Sequence, residues 1–303
     1  MKVLVTGGAG YLGTGLVEKL ANAEEVKSIV IYDNLSRGNR NFFLGNSNFS
    51  GKVSFVLGDL LDSRNLKKAL VGIDVVYHLA AKVTTPFADQ NAHLFEQVNH
   101  WGTAELVYAL EESDVKKFIH VSSVSVYGTS SEKLEVDSPL NPKTFYGISK
   151  MRAEEHVRRL AKKMDTYIIR CGNVYGYSKS MRFDAVINKF MFDAHFTNQI
   201  TINGSGEQKR PFVSIEKVSH TLTALVANSV KCGTYNLVGS NWAIGQVVEN
   251  LRKVYPHLEM LFVNQHMKMR ELQAIPSNDL DSLFQESISL QEELEGFRNS
   301  FSY

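Results

Sequence analysis

The sequence predicts a doubly wound α/β fold of Rossmann type, and three observations carry that prediction. Short apolar runs alternate with helical patterns through the first half of the chain. A glycine-rich turn, Thr6-Gly-Gly-Ala-Gly-Tyr-Leu-Gly13, stands between the first of these runs and the first helical pattern. With 303 residues, the chain is long enough for a full α/β core plus a smaller lobe.

The elements follow in order. Val3–Val5 is a strand, and a helix runs from about Gly10 to Asn22. Ser28–Tyr32, Val53–Leu57, Val75–His78 and Phe118–Val121 read as further strands, with helical patterns at Leu66–Val71 and Leu94–Glu111 between them. A helix over Phe145–Lys163 leads to the strand Thr166–Arg170. Right-handed crossovers put the C-terminal ends of these strands along one edge, where ligands bind. After Arg170 the pattern becomes irregular, with short strands at Ile200–Ile202 and Gly233–Leu237 and a sharp turn at Asn203-Gly-Ser-Gly206. The expected division is a sheet domain over residues 1–170 and a smaller mixed α/β lobe over 171–303, with the chain crossing between them.

A formal net charge of +1 gives no general attraction to nucleic acid or to a membrane surface. Any anionic ligand must be met by local basic residues. Two cysteines, Cys171 and Cys232, offer neither a disulfide scaffold nor a zinc cluster, and both read as buried or half-buried apolar residues. The chain enters its first strand without a basic-then-apolar leader, and its apolar runs are too short to span a bilayer, so a cytoplasmic protein is expected.

The strand–turn–helix context makes the glycine turn a dinucleotide site. Gly7, Gly10 and Gly13 allow the tight turn, close backbone approach to a pyrophosphate, and close helix–strand packing. The helix start at Tyr11 and Leu12 offers free N–H groups and a partial positive charge. Asp33 ends the second strand, 20 residues past Gly13, where a carboxylate accepts the adenosine ribose hydroxyls and repels a 2′-phosphate. NAD is therefore favoured over NADP, although Arg37 nearby is able to pair with that phosphate. Asp59 and Leu60 end the third strand and suit the adenine edge. Asp59 also reads as a helix N-cap. Ala80 and Ala81 follow the fourth strand, where small residues let the chain lie against a cofactor.

Tyr146 and Lys150 stand four residues apart on one helix face. A tyrosine with pKa near 10 is a poor base at neutral pH. A lysine ammonium beside it, together with a positive nicotinamide, favours the phenolate. A three-unit shift needs roughly 4 kcal/mol of differential stabilisation. Ser123 follows the fifth strand of the sheet, where its hydroxyl reaches the same edge, and Ser122 reads as satisfying local groups.

At these residues the chain resembles the extended short-chain dehydrogenase/reductases, specifically the nucleotide-sugar epimerase/dehydratase group. The resemblance spans nearly the whole chain: the glycine turn, Asp33-Asn-Leu-Ser-Arg-Gly38, Gly58-Asp59, His78–Ala81, Asn99-x-x-Gly-Thr103, the serine strand, Tyr146/Lys150, Asn173-Val-Tyr-Gly176, Gly204-x-Gly-x-Gln-x-Arg210-x-Phe212 and Tyr235-Asn-Leu-Val-Gly239. It implies bound NAD, a nucleoside-diphosphate sugar in the cleft, and a homodimer paired through His93–Glu111 and Phe145–Lys163. It further implies that Ser123, Tyr146 and Lys150 are catalytic, that Asn34, Gly38, Lys82 and Asn99 join the cofactor contacts, and that Thr84, Ser123, Asn173, Arg210 and Arg270 meet the sugar nucleotide. Arg182, Phe183 and His195 are unranked further candidates for the cleft.

Dehydratases of this family carry an Asp-Glu pair before the Val-Tyr-Gly of the serine strand, and decarboxylating members carry a glutamate there. Here these positions are Val124 and Ser125, neither of which does carboxylate acid/base work. The resemblance is therefore strongest to the 4-epimerases that act on UDP-hexoses. The alternatives are a 4-keto-sugar reductase and, more distantly, a non-catalytic NAD-binding sensor.

Overall fold

The structure, a computed structural model, describes residues 1–38, 40–44, 51–83, 92–227, 230–266, 269–284 and 288–303. In chain order the first half supplies β1 (Lys2–Thr6), α1 (Tyr11–Asn22), β2 (Ser28–Asp33), β3 (Val53–Leu57), α2 (Ser63–Ala69), β4 (Val75–His78), α3 (Ala92–Phe95), α4 (Gly102–Glu111), β5 (Lys117–Ser123), β6 (Lys133–Leu134), α5 (Phe145–Arg159) and β7 (Asp165–Cys171). The second half supplies β8 (Asn173–Tyr175), α6 (Val186–Thr197), β9 (Gln199–Asn203), β10 (Lys209–Ser214), α7 (Ile215–Ala227), β11 (Gly233–Leu237), β12 (Ser240–Ala243), α8 (Ile244–Val254), β13 (Glu259–Val263), β14 (Gln273–Ala274), α9 (Asn278–Asp281) and α10 (Leu290–Arg298).

Seven parallel strands form the main sheet in the order β11-β7-β5-β4-β1-β2-β3. Successive residues of a strand point to opposite faces, and both faces are covered. Val3 and Val5 of β1 therefore join one core with Leu16 and Leu20 of α1 and Leu222 of α7. Leu4 joins the other with Leu66 of α2, Leu106 of α4 and Val157 of α5. The order reverses between β1 and β4, and the strand ends diverge there to leave a crevice.

Several elements differ from the sequence expectation, each for a local reason. Asp62 accepts the Asn65 N–H at 3.1 Å and starts α2 at Ser63, ahead of the expected Leu66. The expected helix Leu94–Glu111 contains a π-helical stretch at Glu96–Trp101. The helix from Phe145 ends at Arg159 and tightens into a 3₁₀ turn over Leu160–Lys162. The segment Gly233–Leu237 is not part of the smaller lobe: it pairs parallel with β7 as the edge strand of the main sheet. Cys171 is buried as expected, whereas Cys232 is exposed. The smaller lobe holds a β12-β10-β8 sheet and its own core of Phe190, Phe212, Val247, Leu251, Leu294 and Phe297. Among the described residues, no helix is long and apolar enough to cross a membrane.

Two fully buried histidines lie side by side on adjacent strands below the crevice. His78 is held between Thr6 Oγ1 at 2.7 Å and Thr103 Oγ1 at 2.9 Å. His120, its register partner on β5, has no hydrogen-bond partner at either ring nitrogen among the described residues. Burial and the Lys150 charge hold the His78 pKa down to about 3 and that of His120 well below its ordinary value. Both stay neutral in the folded protein, while the unfolded chain takes up protons below about pH 6.5. Stability is therefore lost progressively as pH falls below about 6.5, for His78 down towards about 3. His120→Phe removes the unpaired nitrogens, so it is expected to stabilise the protein at neutral pH by about 1–3 kcal/mol. It should also flatten part of the acid loss in urea melts at pH 7.5 and 5. A pH dependence unchanged from the parent would show that His120 contributes nothing to that loss.

Candidate active site

The glycine turn is shaped by close approach. Gly7 has φ +70°, and a Cβ there would lie 2.5 Å from the Ala80 nitrogen. A Cβ at Gly13 would lie 2.4 Å from the Gly7 carbonyl oxygen. Gly10 precedes α1 without a side-chain cap, so the first-turn N–H groups stay available where Tyr11, Leu12 and Gly13 line the crevice. At the end of β2, Asp33 accepts the Ala9 N–H at 3.1 Å and the Leu35 N–H at 2.8 Å. Asn34 donates to Asp59 at 2.9 Å, and Asp59 also accepts the Leu61 N–H at 3.0 Å. These pairs bring the ends of β1, β2 and β3 together around one end of a cavity of about 1210 Å³.

Most of the residues expected from the sequence line that cavity: the turn glycines, Tyr11, Leu12, Asp33, Asn34, Arg37, Asp59, Leu60, Ala80, Ala81, Lys82, Ser123, Tyr146, Lys150, Asn173, Arg210 and Arg270. Two expected cofactor contacts do not. Gly38, with φ +71°, closes a turn by donating to the Leu35 carbonyl at 2.9 Å and lies off the cavity. Asn99 is fully buried in the π-helical stretch, where it accepts the Lys82 N–H at 2.7 Å and donates to the Lys82 carbonyl at 2.9 Å. It clamps the backbone that follows β4 and does not face the cavity. Thr84 lies outside the described residues.

At the centre, the elements bring Ser123, Tyr146 and Lys150 together. Thr144 caps α5 by accepting the Gly147 N–H at 3.0 Å, which places Tyr146 in the first turn. Ser123 ends β5, accepts the Ser125 N–H at 3.2 Å and turns its hydroxyl towards Tyr146 in the same cavity. Lys150, one turn further along α5, is buried and donates to the Val121 carbonyl at 2.8 Å. Burial lowers the Lys150 pKa to about 8, opposed by Cys171 and Glu154. The Tyr146 hydroxyl is pushed up by burial and pulled down by Arg182 and by the Ser123 hydrogen bond. Ser122 donates to the buried Glu154 at 2.6 Å, in keeping with its local reading.

Of the unranked candidates, only Arg182 lines the cavity. Phe183 packs on Phe192, and His195 pairs with the Tyr255 hydroxyl and stacks on Phe301. Arg182 arrives through a segment held to the glycine turn by distant side chains. Ser180 donates to the Ala9 carbonyl at 2.7 Å, Ser178 to the Tyr11 carbonyl at 2.8 Å, and Tyr11 to the Gly176 carbonyl at 2.8 Å. No local periodicity reports such contacts, so nothing in the sequence could rank Arg182. At the far end of the cavity, Arg210 is half-buried and its pKa is lowered by burial and then by Arg270. Among the described residues, neither arginine forms an ion pair with a carboxylate. Two guanidinium groups lining one cavity, without a carboxylate ion pair among the described residues, are a ready anion site.

Residues 3–238 match the family model described as the NAD dependent epimerase/dehydratase family. The chain belongs to that family. Among epimerase/dehydratase relatives, it is 32% identical over 255 residues to the dTDP-D-glucose 4,6-dehydratase of Homo sapiens, covering 81% of this chain and 71% of that one. It is 31% identical over 225 residues to the UDP-glucose 4-epimerase of Mycolicibacterium smegmatis, covering 72% of this chain and 71% of that one. Its fold is also that of the UDP-glucuronic acid 4-epimerase from Bacillus cereus crystallised with UDP-glucuronic acid and NAD. There the TM-score is 0.85 at 26% identity, with 99% of this chain and 98% of that chain covered.

NAD is the cofactor of the family, and this chain's residues fit it. The glycines at 7 and 13 leave a cradle next to the uncapped start of α1. The Asp33 carboxylate spends one N–H acceptance on each oxygen, and a carboxylate offers about four lone-pair sites, so capacity remains for ribose hydroxyls. Arg37 lies 3.7 Å from Asp184, which gives its guanidinium an anionic partner within the protein.

Proposed function

We propose that the protein is an NAD-dependent nucleotide-sugar 4-epimerase, with a UDP-hexose as the favoured substrate. The observation that carries this reading is that the Ser123 and Tyr146 hydroxyls and buried Lys150 line one cavity, with no carboxylate beside them among the described residues. Position 124 is a buried valine and position 125 a serine. The described carboxylates lining the cavity are Asp33, Asp59 and Asp184. The first two are engaged by the β2 and β3 ends, and the third stands beside arginines. Elimination of water needs a positioned acid and base, and hydroxyl chemistry needs only the tyrosine.

In this reading Tyr146 takes the proton of the sugar 4-hydroxyl and returns it, while the Ser123 hydroxyl shares that proton by hydrogen bonding. Lys150 keeps a positive charge below its pKa of about 8 and steadies the tyrosine end of the site. The chemistry supplied by NAD when bound is reversible hydride acceptance at the sugar carbon. Arg210 and Arg270 hold the diphosphate, so the remote nucleotide supplies the affinity while the sugar ring turns over. The same reading includes a cytoplasmic homodimer paired through residues 93–111 and 145–163, where Trp101 and Tyr108 are exposed.

The test is incubation of the purified protein with UDP-glucose, UDP-galactose, their N-acetyl forms and UDP-glucuronic acid in deuterated buffer, followed by NMR. Interconversion at C4 without solvent deuterium in the product is expected. Deuterium at a carbon next to C4 would replace this reading with 3- or 5-epimerisation. Absence of turnover, with 4-keto sugars reduced instead, would replace it with a reductase.

A further inference from the structure

Two histidines outside the cavity face each other across the seam between the π-helical stretch and α5. His100 Nε2 lies 3.1 Å from His156 Nε2. On its other side, His100 Nδ1 donates to Glu96 Oε2 at 2.8 Å. Arg152 of α5 donates to the second oxygen of that carboxylate at 2.9 Å. A carboxylate only accepts, so the Glu96 bond keeps a proton on His100 Nδ1 and leaves Nε2 to be shared with His156. In the neutral pair, one Nε2 carries a proton and the other accepts it. One added proton is accommodated: a charged His100, beside Glu96, donates through Nε2–H to a neutral His156. A second is not, because two N–H groups and two cations would then face each other across the same gap.

We propose that the His100–His156 pair is a proton-sensitive latch, closed while it shares a proton and opened by a second, that holds the cavity wall against α5. The parts it holds are its neighbours in the chain. Asn99, next to His100, clamps the Lys82 backbone and donates to Ser149 of α5 at 3.0 Å. Phe95, next to Glu96, packs edge-on against Tyr146. Lys82 and Tyr146 both line the cavity. The groups that face the pair are Glu96 on the π-helical stretch, Tyr108 and Glu111 on α4, and Arg152, Glu155 and Arg159 on α5. Tyr108 meets the His156 ring edge-on at 6.1 Å between centroids, and Arg159 lies over the Tyr108 ring at 5.4 Å. Burial, then His100 and Arg159, push the His156 pKa down against the pull of Glu155 and Glu111. The second proton therefore enters below the ordinary histidine range near about pH 6.5. The latch is closed above that range and is lost as pH falls below it.

The first test follows the nine histidines by ¹⁵N side-chain NMR as pH is lowered, without substrate, assigning the pair from His100→Gln and His156→Gln. The pair is expected to take up its two protons in steps at least about one pH unit apart, and the imidazole left in either variant to titrate in one step. Two independent steps, unchanged when the neighbour is removed, would overturn the shared proton. The second test reads the wall by hydrogen–deuterium exchange, corrected for the intrinsic effect of pH on exchange. The Lys82 amide, which donates to Asn99, should lose at least about tenfold of its protection between pH 7.5 and pH 5. His156→Gln, which has no second imidazole to charge, should keep that protection. Acid destabilisation from His78 and His120 is common to both proteins, so it does not produce the difference. No loss in the parent, or an equal loss in the variant, would overturn the latch. His100→Gln leaves Glu96 with Arg152 and covers the case in which His156→Gln does not fold, with the same expected and opposing results. Neither measurement needs turnover, so the latch succeeds or fails separately from the 4-epimerase reading.

Discussion

Tyr146→Phe is expected to lower kcat by about 10²–10⁴-fold with little change in KM for the nucleotide sugar. The substitution removes one oxygen and leaves the ring, which packs edge-on against Phe95 at 6.3 Å between centroids. It also leaves the Thr144 cap, which acts on backbone. The end of the cavity lined by Arg210 and Arg270, where the proposed reading seats the nucleotide, is untouched, so ground-state affinity should survive. What is lost is the hydroxyl that faces Ser123 in the cavity. Ser123→Ala should cost less, because Tyr146 still carries the proton. Steady-state kinetics with a sugar interconverted by the parent enzyme separates the two terms. A kcat within a few fold of the parent would remove Tyr146 from the chemistry and leave it a packing role. The expected pH behaviour follows in sign: the base must be deprotonated, burial raises its pKa, and activity is lost on the acid side.

How far the sequence could be read depends on whether a position is set by neighbours in the chain or by partners across it. Gly7, Gly13, Asp33, Ser123 and Tyr146 are placed by strand ends and helix starts, which local patterns mark, and the parallel topology then delivers them to one edge. Gly38 and Asn99 lie in the same kinds of motif and yet point elsewhere. A motif shows that a residue is needed without showing whether it touches a ligand or holds the backbone that does. Asn99 makes the second kind of contact, with Lys82 and with Ser149 at 3.0 Å. Gly233–Leu237 was legible as a strand, but its place beside β7 depends on α7 packing on the α1 face, a pairing remote in sequence. Arg182 is the extreme case, since its place rests on Ser178, Ser180 and Asn188 reaching residues more than 160 positions away.

The same reasoning identifies where the catalytic geometry is most vulnerable outside the cavity. Glu154 is fully buried on α5, one turn beyond Lys150, and Arg170 is 2% exposed on β7. They meet through two hydrogen bonds, Nε to Oε1 at 3.0 Å and Nη2 to Oε2 at 2.7 Å. Ser122, the neighbour of Ser123, donates to the same carboxylate at 2.6 Å, and Arg170 reaches the Tyr127 hydroxyl at 2.8 Å and the Val136 carbonyl at 2.9 Å. The network ties the helix that carries Tyr146 to the strand that carries Ser123. Glu154→Ala leaves the Arg170 charge buried without its carboxylate, so it should destabilise the protein by about 3–5 kcal/mol. Urea denaturation measures that loss, and kcat should fall with it as α5 loosens against β5. Replacing both partners, Glu154→Leu with Arg170→Met, removes the stranded charge and should recover much of the stability. If the double variant is as unstable as Glu154→Ala, the penalty comes from lost packing. If stability returns without kcat, the ion pair is needed to set the spacing of Ser123 and Tyr146 more than to hold the fold.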